Sequence, residues 1–432
     1  MRAPSAWKRA ARRHVLSGMK LLVAPHDLAI GGSQINAIDL AAGAADAGHD
    51  VVVYGVEGPL VDHIAARGLE YVPARPLRYR PAPSRIAQLA TLARRRRLDL
   101  IHAYEWPPCL EAYYGAHLAG GVPLVCTVLS MSVTPLVPRS VPLIMGTAAL
   151  GAEARRRHMA PVWVLEPPID TDADRPGHEG GAFRETHGVG PDEPLLVTVS
   201  RLAIDLKLDA LVDAIDAADV LAADRPVRLL IVGGGPAATA LEERAAAVNA
   251  RHAREVVRLC GPAADPRPAY AAADVVVGMG SSALRAMSIG RPVVVQGERG
   301  FSLPLEPSTL PYFLEHGFYG IGAGTGGGRQ LAAHLEPLLA GRARREELGR
   351  YGREVVEDRF SLRRALTQQL AIYDGVRDSG RRRRATDAAD AAARALQLEV
   401  RAHDPRIKRQ RARSEAALLS AARGPEEAIL HG

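Results

Sequence analysis

The chain has 432 residues, of which 47% are hydrophobic and 24% are charged, and its formal net charge is +7. This length and composition allow two buried cores, because a domain usually holds about 100–200 residues. Aromatic residues make up only 4% of the chain, so we expect no binding of nucleic acid through base stacking.

The three cysteines, Cys109, Cys126 and Cys260, form neither a CxxC pair nor a zinc-binding spacing. This usage favours a reducing, cytoplasmic location and predicts no metal site. No apolar stretch approaches the roughly 20 residues of a membrane-spanning helix, and residues 1–18 carry cations without an apolar signal-peptide core. The basic arms at the two ends leave open a weak peripheral contact with the inner face of a membrane.

Residues 1–18 are interpreted as a basic arm, and a first α/β domain is predicted over residues 19–180. Its strands are expected at 21–25, 51–54, 98–102, 124–129 and 162–165. A helical pattern lies between the first two strands, so the domain begins with a βαβ unit. The polar stretch 170–181 that ends the series is interpreted as a linker.

A second α/β domain is predicted over residues 181–360. Its strands are expected at 195–199, 228–232, 256–259, 274–277 and 293–296. Short apolar strands that alternate with helices are typical of parallel sheets, so the fold class is α/β, with two Rossmann-like domains facing each other across a cleft. A helix follows at 361–376. The Ala/Arg-rich tail 377–432 is expected to lie outside the cores, as a helix or without structure.

Glycine-rich turns follow a strand in each predicted domain. Gly31 and Gly32 lead from the first strand into a helix, where backbone N–H groups can approach a ligand and the helix dipole favours anions. Gly234 and Gly235 repeat this pattern in the second domain. They do not indicate a dehydrogenase, because the GxGxxG motif is incomplete and no acidic residue ends the next strand. Both turns are candidates for contact with phosphate groups.

Lys207 stands out because the chain has only four lysines and the other three lie near its ends. Arginine replaces lysine on a solvated surface, but not where a compact ammonium must reach a phosphate. Lys207 follows Arg201 by six residues, and Ser200 and Arg201 end a strand of β-branched residues. We therefore expect two cations, Arg201 and Lys207, at the carboxyl end of this strand. An ordinary surface lysine is the alternative.

A third turn, Gly278-Met279-Gly280, leads from a strand into a helix that begins with Ser281 and Ser282. Two hydroxyl groups and the unpaired N–H groups of a helix start can hold a phosphate. The pattern therefore predicts a phosphate-binding site at Ser281 and Ser282. The alternative is an ordinary N-cap without a ligand.

Taken in order, these motifs resemble family 4 of the glycosyltransferases, which have the GT-B fold, over about residues 19–376. The motifs are Gly31-Gly32, Leu100-Ile101-His102-Ala103, Ile169-Asp170-Thr171, Ser200-Arg201 with Lys207, Val232-Gly233-Gly234-Gly235-Pro236, Tyr270-Ala271-Ala272-Ala273-Asp274, and Ala286-Met287 before Gly290-Arg291-Pro292. The resemblance implies that Arg201 and Lys207 bind the diphosphate of a nucleotide-sugar and that Gly31-Gly32 approach it from the first domain. It also implies glycosyl transfer with retention and a helix at 361–376 that crosses back onto the first domain.

The chain departs from this family in two places. Members usually carry two glutamates around the turn that corresponds to Gly278-Met279-Gly280, whereas this chain has Val277 and Arg285. The histidine that is common after the strand ending near Leu129 is also missing. The candidates to replace these side chains are His102, Glu105 and Glu298. For each of them a structural role is the alternative.

The sequence thus predicts a transferase that moves a sugar from a nucleotide diphosphate donor to an acceptor held by the first domain, without a metal or another cofactor. The acceptor is left open between a small molecule, a lipid-linked molecule and a glycan. Two other functions are also left open: a GT-B protein that binds a nucleotide or a partner transferase without catalysis, and a nucleotide-sugar epimerase. Loss of both glutamates favours the first of these, and retention of Arg201 and Lys207 opposes it.

Overall fold

The computed structural model describes residues 18–77, 82–130, 132–324, 326–378 and 385–424, so the predicted basic arm lies outside it except for Gly18. The chain forms two compact units. Unit 1 consists of the described residues up to Asp170 together with Phe360–Asp404, and unit 2 consists of Thr171–Arg359 together with the described residues from Pro405 onward. Each unit is therefore built from two separate pieces of chain.

Thirteen strands and sixteen α-helices are present in the described ranges. The strands are β1 (Lys20–Ala24), β2 (Asp50–Gly55), β3 (Glu70–Pro73), β4 (Leu100–Tyr104), β5 (Leu124–Val128), β6 (Leu143–Met145), β7 (Val162–Val164), β8 (Leu195–Val199), β9 (Arg228–Val232), β10 (Val257–Gly261), β11 (Val275–Gly278), β12 (Val293–Gln296) and β13 (Ser302–Pro304). The helices are α1 (Gly32–Asp46), α2 (Val61–Ala66), α3 (Pro83–Arg96), α4 (Trp106–Ala112), α5 (Ala148–Arg157), α6 (Gly181–Thr186), α7 (Leu208–Ala222), α8 (Ala238–His252), α9 (Arg267–Ala272), α10 (Ser281–Ser288), α11 (Leu310–His316), α12 (Gly327–Ala340), α13 (Arg342–Val355), α14 (Leu362–Asp378), α15 (Ala385–His403) and α16 (Pro405–Arg423). Two π-helical segments, Tyr113–Leu118 and Val356–Phe360, extend α4 and α13. Within these ranges, no helix has both the length and the apolar character needed to span a lipid bilayer.

Unit 1 has a seven-stranded parallel sheet in the order β3-β2-β1-β4-β5-β6-β7. Alternate side chains of a strand point to opposite faces of the sheet. Accordingly, Leu21 and Val23 pack with α1 and α14 in one core, while Leu22 and Ala24 pack in the other with side chains of α3 and α4. Because all strands run parallel, their carboxyl ends share one edge, and the turns that follow them are brought together there.

Unit 2 has a six-stranded sheet in the order β10-β9-β8-β11-β12-β13, in which only β13 runs antiparallel. Its core combines alternate residues of β8 and β9 with apolar faces of α7, α8 and α12. Both units therefore have the α/β architecture predicted from the sequence. The β8, β9 and β12 boundaries agree with the predicted strands, whereas β3, β6 and β13 were not predicted.

The expectation that the tail 377–432 lies outside the cores is wrong for its described part. On α15, the buried residues are Asp387, Ala391 and Ala395. The Asp387 carboxylate accepts hydrogen bonds from the backbone N–H groups of Arg139 and Ser140, both at 2.9 Å. On α16, Ala422 is only 3% exposed and belongs to the core of unit 2. Alanine allows close helix packing without a large side chain, so the lack of large apolar residues was misleading.

The predicted linker after residue 170 also packs onto a unit. Arg353 donates hydrogen bonds to the carbonyl oxygens of Thr171, at 3.1 Å, and Asp174, at 3.0 Å. The Ser288 hydroxyl donates to the Asp174 carbonyl as well. The segment is therefore held on unit 2 through the backbone carbonyls of Thr171 and Asp174.

Candidate functional site

The predicted donor-binding turns of unit 2 lie at one edge of its sheet. Strands β9, β8, β11 and β12 are neighbours and run parallel, so their carboxyl ends face the same way. The segments that follow these strands carry the predicted site residues Ser200, Arg201, Gly234, Gly235, Ser281, Ser282 and Glu298. This arrangement places all the unit 2 candidates on the ligand-binding edge of a doubly wound sheet.

Two glycines allow the turns after β8 and β9 to pack backbone against backbone. Gly233 and Gly235 have φ angles of 151° and 154°, which disfavour any side chain. A Cβ at Gly233 would lie 1.8 Å from the Ser200 carbonyl oxygen, and one at Gly235 would lie 2.5 Å from that of Leu202. The Leu202 N–H donates to the Gly234 carbonyl at 2.9 Å. The glycine-rich turn therefore supports the segment that carries Ser200 and Arg201.

Lys207 and Arg201 form a pair of cations that has no acidic partner among the described residues. Lys207 is the N-cap residue of α7 and is partly buried, while Arg201 is exposed. Neither side chain has a hydrogen bond or an ion pair with any residue that the structure describes. Burial, and after it the positive charge of Arg201, lowers the pKa of Lys207 to about 8. Two uncompensated positive charges next to a helix N-terminus make this edge suited to an anion.

The serines at the start of α10 do not cap the helix, which corrects one part of the sequence interpretation. The N-cap position is Gly280, which has φ 56° and no side-chain cap. The Ser282 hydroxyl instead donates to the Val199 carbonyl at 2.7 Å and lies 3.0 Å from the Tyr270 hydroxyl. Ser282 therefore fastens α10 to β8. A phosphate contact by Ser281 or Ser282 stays a prediction.

Val277 and Arg285, which stand where the resembled family usually has glutamates, both have structural roles here. Val277 is buried in β11. Arg285 lies 3.6 Å from Asp174, measured between Nη1 and Oδ2, within the segment that Arg353 also holds. Glu298 follows β12, and its carboxylate accepts a hydrogen bond from the Tyr319 hydroxyl. Whether Glu298 also contacts a substrate stays a prediction.

In unit 1, the glycine turn lies beside a polar group that sequence analysis missed. Gly31 is the N-cap residue of α1, and its φ of −167° is open to any residue. The Gln34 amide nitrogen donates to the Asp27 carboxylate at 2.7 Å and lies 3.1 Å from His26 Nε2. Gly32 begins α1. The polar His26-Asp27 pair directly after β1 was the signal that could have revealed this group.

Glu105 holds the loop after β5 in place. Its backbone has φ 68°, an unusual conformation for a side-chain-bearing residue. One carboxylate oxygen accepts from the backbone N–H groups of Leu129, at 2.8 Å, and Ser130, at 3.0 Å. The other accepts from the Ser130 hydroxyl at 3.1 Å. Glu105 is thus a half-buried positioning residue rather than an exposed loop charge.

His102 lies in the interior of unit 1. It is 1% exposed, with Nδ1 2.8 Å from the Tyr373 hydroxyl and Nε2 2.7 Å from the Thr127 hydroxyl. Burial lowers its pKa to about 3, so the ring is neutral near pH 7. This geometry gives the catalytic role predicted for His102 no support, and the ring serves as a link between β4, β5 and α14.

In unit 2, the structure groups Arg201, Lys207 and the turn Gly233-Gly234-Gly235 at the carboxyl edge of the sheet. In unit 1, Gly31, Gly32 and Glu105 follow strands at the carboxyl edge of that unit's own sheet. Within the described ranges, no group of three or more His, Cys, Asp or Glu side chains is arranged to hold a metal ion. The chemistry that this arrangement offers is therefore binding of an anion by paired cations and backbone N–H groups.

Two sequence families match the chain. The family described as Glycosyltransferase Family 4 matches residues 30–172, and the family described as Glycosyl transferases group 1 matches residues 193–305. The first match covers most of unit 1, and the second includes Arg201, Lys207 and the turn after β11. A comparison with the curated proteins finds no match.

Solved structures with a similar fold are also found. A glycosyltransferase from Rickettsia africae ESF-5 has a TM-score of 0.69 and 14% identity, covering 84% of this chain and 100% of that chain. HepE from Anabaena in complex with UDP-glucose has a TM-score of 0.66 and 18% identity, covering 83% and 100%. Sucrose-phosphate synthase from Thermosynechococcus elongatus has a TM-score of 0.64 and 17% identity, covering 84% and 100%. At identities of 14–18%, the likeness to these structures establishes the fold of this chain and no more.

Proposed function

Because this chain is a GT-B glycosyltransferase, with a family 4 segment in unit 1 and a group 1 segment in unit 2, we propose that its donor is a nucleoside diphosphate sugar bound by unit 2. The observation that carries the proposal is the pair Arg201 and Lys207, which has no acidic partner in the described part of the chain. A diphosphate supplies the missing negative charge. The complexes of HepE with UDP and UDP-glucose support the same class of donor.

In the transfer step, the bond between the anomeric carbon and the diphosphate oxygen breaks, and its electron pair stays on the diphosphate. The acceptor hydroxyl oxygen forms the new bond to carbon, and its proton passes to the departing diphosphate oxygen. Lys207, Arg201 and the N-terminus of α7 stabilise the charge that grows on the leaving diphosphate, and one preorganised donor of this kind contributes about 2.7–4 kcal/mol. Retention at the anomeric carbon is proposed from the resemblance to family 4 alone.

We assign the acceptor to unit 1. The turn after β1 offers the Asp27 carboxylate, which the buried Gln34 amide holds in place, and Glu105 fixes the loop after β5 at the same edge. Groups of this kind suit the hydroxyls of an acceptor sugar or polyol. A small molecule, a lipid-linked molecule and a glycan all present such hydroxyls, so the acceptor class is decided by assay.

The test is incubation of the full chain with UDP-, GDP- and ADP-sugars, with cell extract as the acceptor source, followed by mass detection of glycosylated product. We expect one nucleotide class to give product and Lys207→Met to abolish most of it. Lys20→Met is the matched control, because it removes the same charge from an exposed residue of β1 in unit 1.

Three outcomes of this assay would contradict the proposal. Equal loss of product in the Lys20→Met and Lys207→Met variants would remove Lys207 from the site. Conversion of the donor sugar into its epimer without any acceptor would identify an epimerase. Tight binding of UDP without product from any donor would identify a nucleotide-binding protein without catalysis.

A further inference from the structure

Glu298 is a half-buried residue of unit 2 that is held in position by a later segment of the same unit. This segment, residues 318–322, follows α11. Its Gly320 carbonyl accepts from the Glu298 N–H at 3.0 Å, and its Gly322 N–H donates to the Glu298 carbonyl at 2.9 Å. A Cβ at Gly297 would lie 1.9 Å from the Gly320 carbonyl oxygen, so the two pieces pack backbone against backbone. The backbone of Glu298 is therefore fixed at both its N–H and its carbonyl.

The carboxylate of Glu298 is held by one of its two oxygens. Its Oε2 accepts a hydrogen bond from the Tyr319 hydroxyl. Burial, followed by this hydrogen bond and the negative charges of Glu298 and Asp209, raises the pKa of Tyr319, so its hydroxyl stays protonated and is the donor. No group of the described residues donates to Oε1. The carboxylate thus has a fixed orientation and one oxygen that can accept a hydrogen bond from a ligand.

The segment 318–322 also connects Glu298 to the turn after β11. The Gly280 N–H of that turn donates to the carbonyl of Phe318, the first residue of the segment, at 2.7 Å. Strands β11 and β12 pair in parallel, with Val277 opposite Val294. Glu298 therefore lies beside the turn at which the resembled family usually has a glutamate and this chain has Val277. A carboxylate missing from one strand end is matched by a carboxylate after the neighbouring strand.

The position of Glu298 along the sheet edge suits the sugar part of a donor. Lys207 and Arg201, the cations assigned to the diphosphate, follow β8, and only β11 lies between β8 and β12. Neighbouring strands are about 4.8 Å apart, so the ends of β8 and β12 are roughly 10 Å apart. On the other side of β8, the turn Gly233-Gly234-Gly235 has no side chain that could bind a hydroxyl. A carboxylate repels a phosphate but accepts hydrogen bonds from hydroxyls, so Glu298 suits the sugar rather than the diphosphate.

We propose that Glu298 Oε1 binds a hydroxyl of the donor sugar and that Tyr319 is the positioning residue that orients this carboxylate. The inference rests on the proposed function, because it takes the donor to be a nucleoside diphosphate sugar. It assigns the role of a missing glutamate to a carboxylate that follows the neighbouring strand. It also accounts for a chain that keeps Arg201 and Lys207 and yet lacks both glutamates.

The test is titration calorimetry of the full chain at pH 7 with UDP, GDP and ADP, and with UDP-, GDP- and ADP-glucose. For each nucleotide, the ratio of the two dissociation constants reports the contribution of the sugar. Glu298→Ala should weaken binding of the glucose form about tenfold to a hundredfold, as for loss of a hydrogen bond to a charged group, and leave binding of the nucleoside diphosphate unchanged. Tyr319→Phe should weaken binding of the glucose form several-fold, again without an effect on the nucleoside diphosphate.

The double variant tests whether Tyr319 acts through Glu298. Since the Tyr319 hydroxyl matters only while the carboxylate is present, Glu298→Ala with Tyr319→Phe should bind no more weakly than Glu298→Ala alone. Tyr312→Phe is one matched control, because it removes from α11 a hydroxyl that has no hydrogen-bond partner among the described residues. Glu315→Gln is the other, because it removes an exposed carboxylate from the same helix. Both controls should leave all dissociation constants unchanged.

Three results would overturn the inference. Equal affinities of Glu298→Ala and the wild-type protein for the glucose forms would remove Glu298 from the sugar. Equal losses for a nucleoside diphosphate and its glucose form would assign the carboxylate to the ribose or to the fold, and the melting temperature separates these two. Additive losses in the double variant would give Tyr319 a role of its own. Failure of the wild-type protein to bind any nucleotide would refute the proposed function itself, and this inference with it.

Discussion

Binding of a nucleoside diphosphate should take up a proton at Lys207. In the unliganded protein the pKa of Lys207 is lowered to about 8, first by burial and then by the charge of Arg201. A bound diphosphate brings negative charge within contact distance, which favours the ammonium form and raises this pKa by roughly 1–3 units. The protonated form is therefore the one that binds, and affinity must fall as pH rises above about 8.

The size of the effect follows from this pKa. Lys207 is about 90% charged at pH 7 and about 25% charged at pH 8.5. Binding at pH 8.5 should therefore take up about 0.7 proton, and affinity should fall about thirtyfold between pH 7 and pH 9.5 if the bound-state pKa lies above 10. The diphosphate itself does not interfere, because the second pKa of a phosphate lies near 6.

The assay is titration calorimetry of the full chain with UDP and with GDP at pH 7, 8.5 and 9.5. At pH 8.5 it is repeated in two buffers of different ionisation enthalpy, because the difference in heat counts the protons taken up. Lys207→Met should take up none. At pH 7 its affinity should be about tenfold to a hundredfold lower, as expected for loss of a hydrogen bond to a charged group.

Arg201→Met is the matched control, since it also removes one cation from the site. Arginine stays charged throughout this pH range, so the variant should lose affinity and yet keep its proton uptake. The pH at which this uptake is largest should rise, because Arg201 no longer lowers the pKa of Lys207. Zero proton uptake by the wild-type protein at pH 8.5, or undiminished uptake by Lys207→Met, would refute the assignment of Lys207 to the anion site.

Three further predictions concern the glycine turn, the packing of α16 and the loop after β5. Gly233→Ala should lower the free energy of unfolding in urea by at least about 2 kcal/mol, because its Cβ would lie 1.8 Å from a carbonyl oxygen. Gly234→Ala should be tolerated, because its Cβ would have no neighbour nearer than 3.7 Å. Equal losses of stability in the two variants would contradict the proposed packing of the turn. Ala422→Arg should lower the melting temperature, because it places a charge in the core, whereas Ala421→Arg at an exposed residue should leave it unchanged. Equal melting temperatures of the two variants would show that α16 is not docked in solution. Glu105→Ala should speed hydrogen exchange of the amides in the loop after β5 about tenfold to a hundredfold with little change in melting temperature, and unchanged exchange would argue against this positioning role.

The parts of the fold that depend on local pattern could be predicted from the sequence. Strands β8, β9 and β12 are runs of Val, Leu and Ile between polar turns, and their boundaries agree with the prediction. Strands β3, β6 and β13 have three or four residues, and β3 and β13 include proline. A run so short has too few residues to show a period of two. Tertiary pairing in the sheet, rather than local preference, makes these segments strands.

The same division applies to the candidate site. Lys207 and Arg201 could be predicted at one edge of the sheet, because one is the isolated lysine and the other ends a predicted strand. Residue type and strand direction are local properties of the sequence. The use of Ser282 could not be predicted, since its partner is the Val199 carbonyl, 83 residues away in sequence. The buried contacts of His102 could not be predicted for a similar reason, because its partner Tyr373 is 271 residues away. Such contacts are determined by packing between distant elements.

The division of each unit into two pieces of chain has a consequence for synthesis on the ribosome. The sheet of unit 1 is complete by residue 164, but α14, which covers one of its faces with Leu366 and Tyr373, begins only at residue 362. At about 5–20 residues per second, that helix is made roughly 10–40 s after the last strand, and all of Thr171–Arg359 is made in between. During this interval the nascent chain exposes an apolar sheet face, and His102 lacks Tyr373, one of its two hydrogen-bond partners. Residues Thr171–Arg359 of unit 2 are therefore synthesised while unit 1 still lacks α14. Slow translation or early termination within these residues should lead to aggregation.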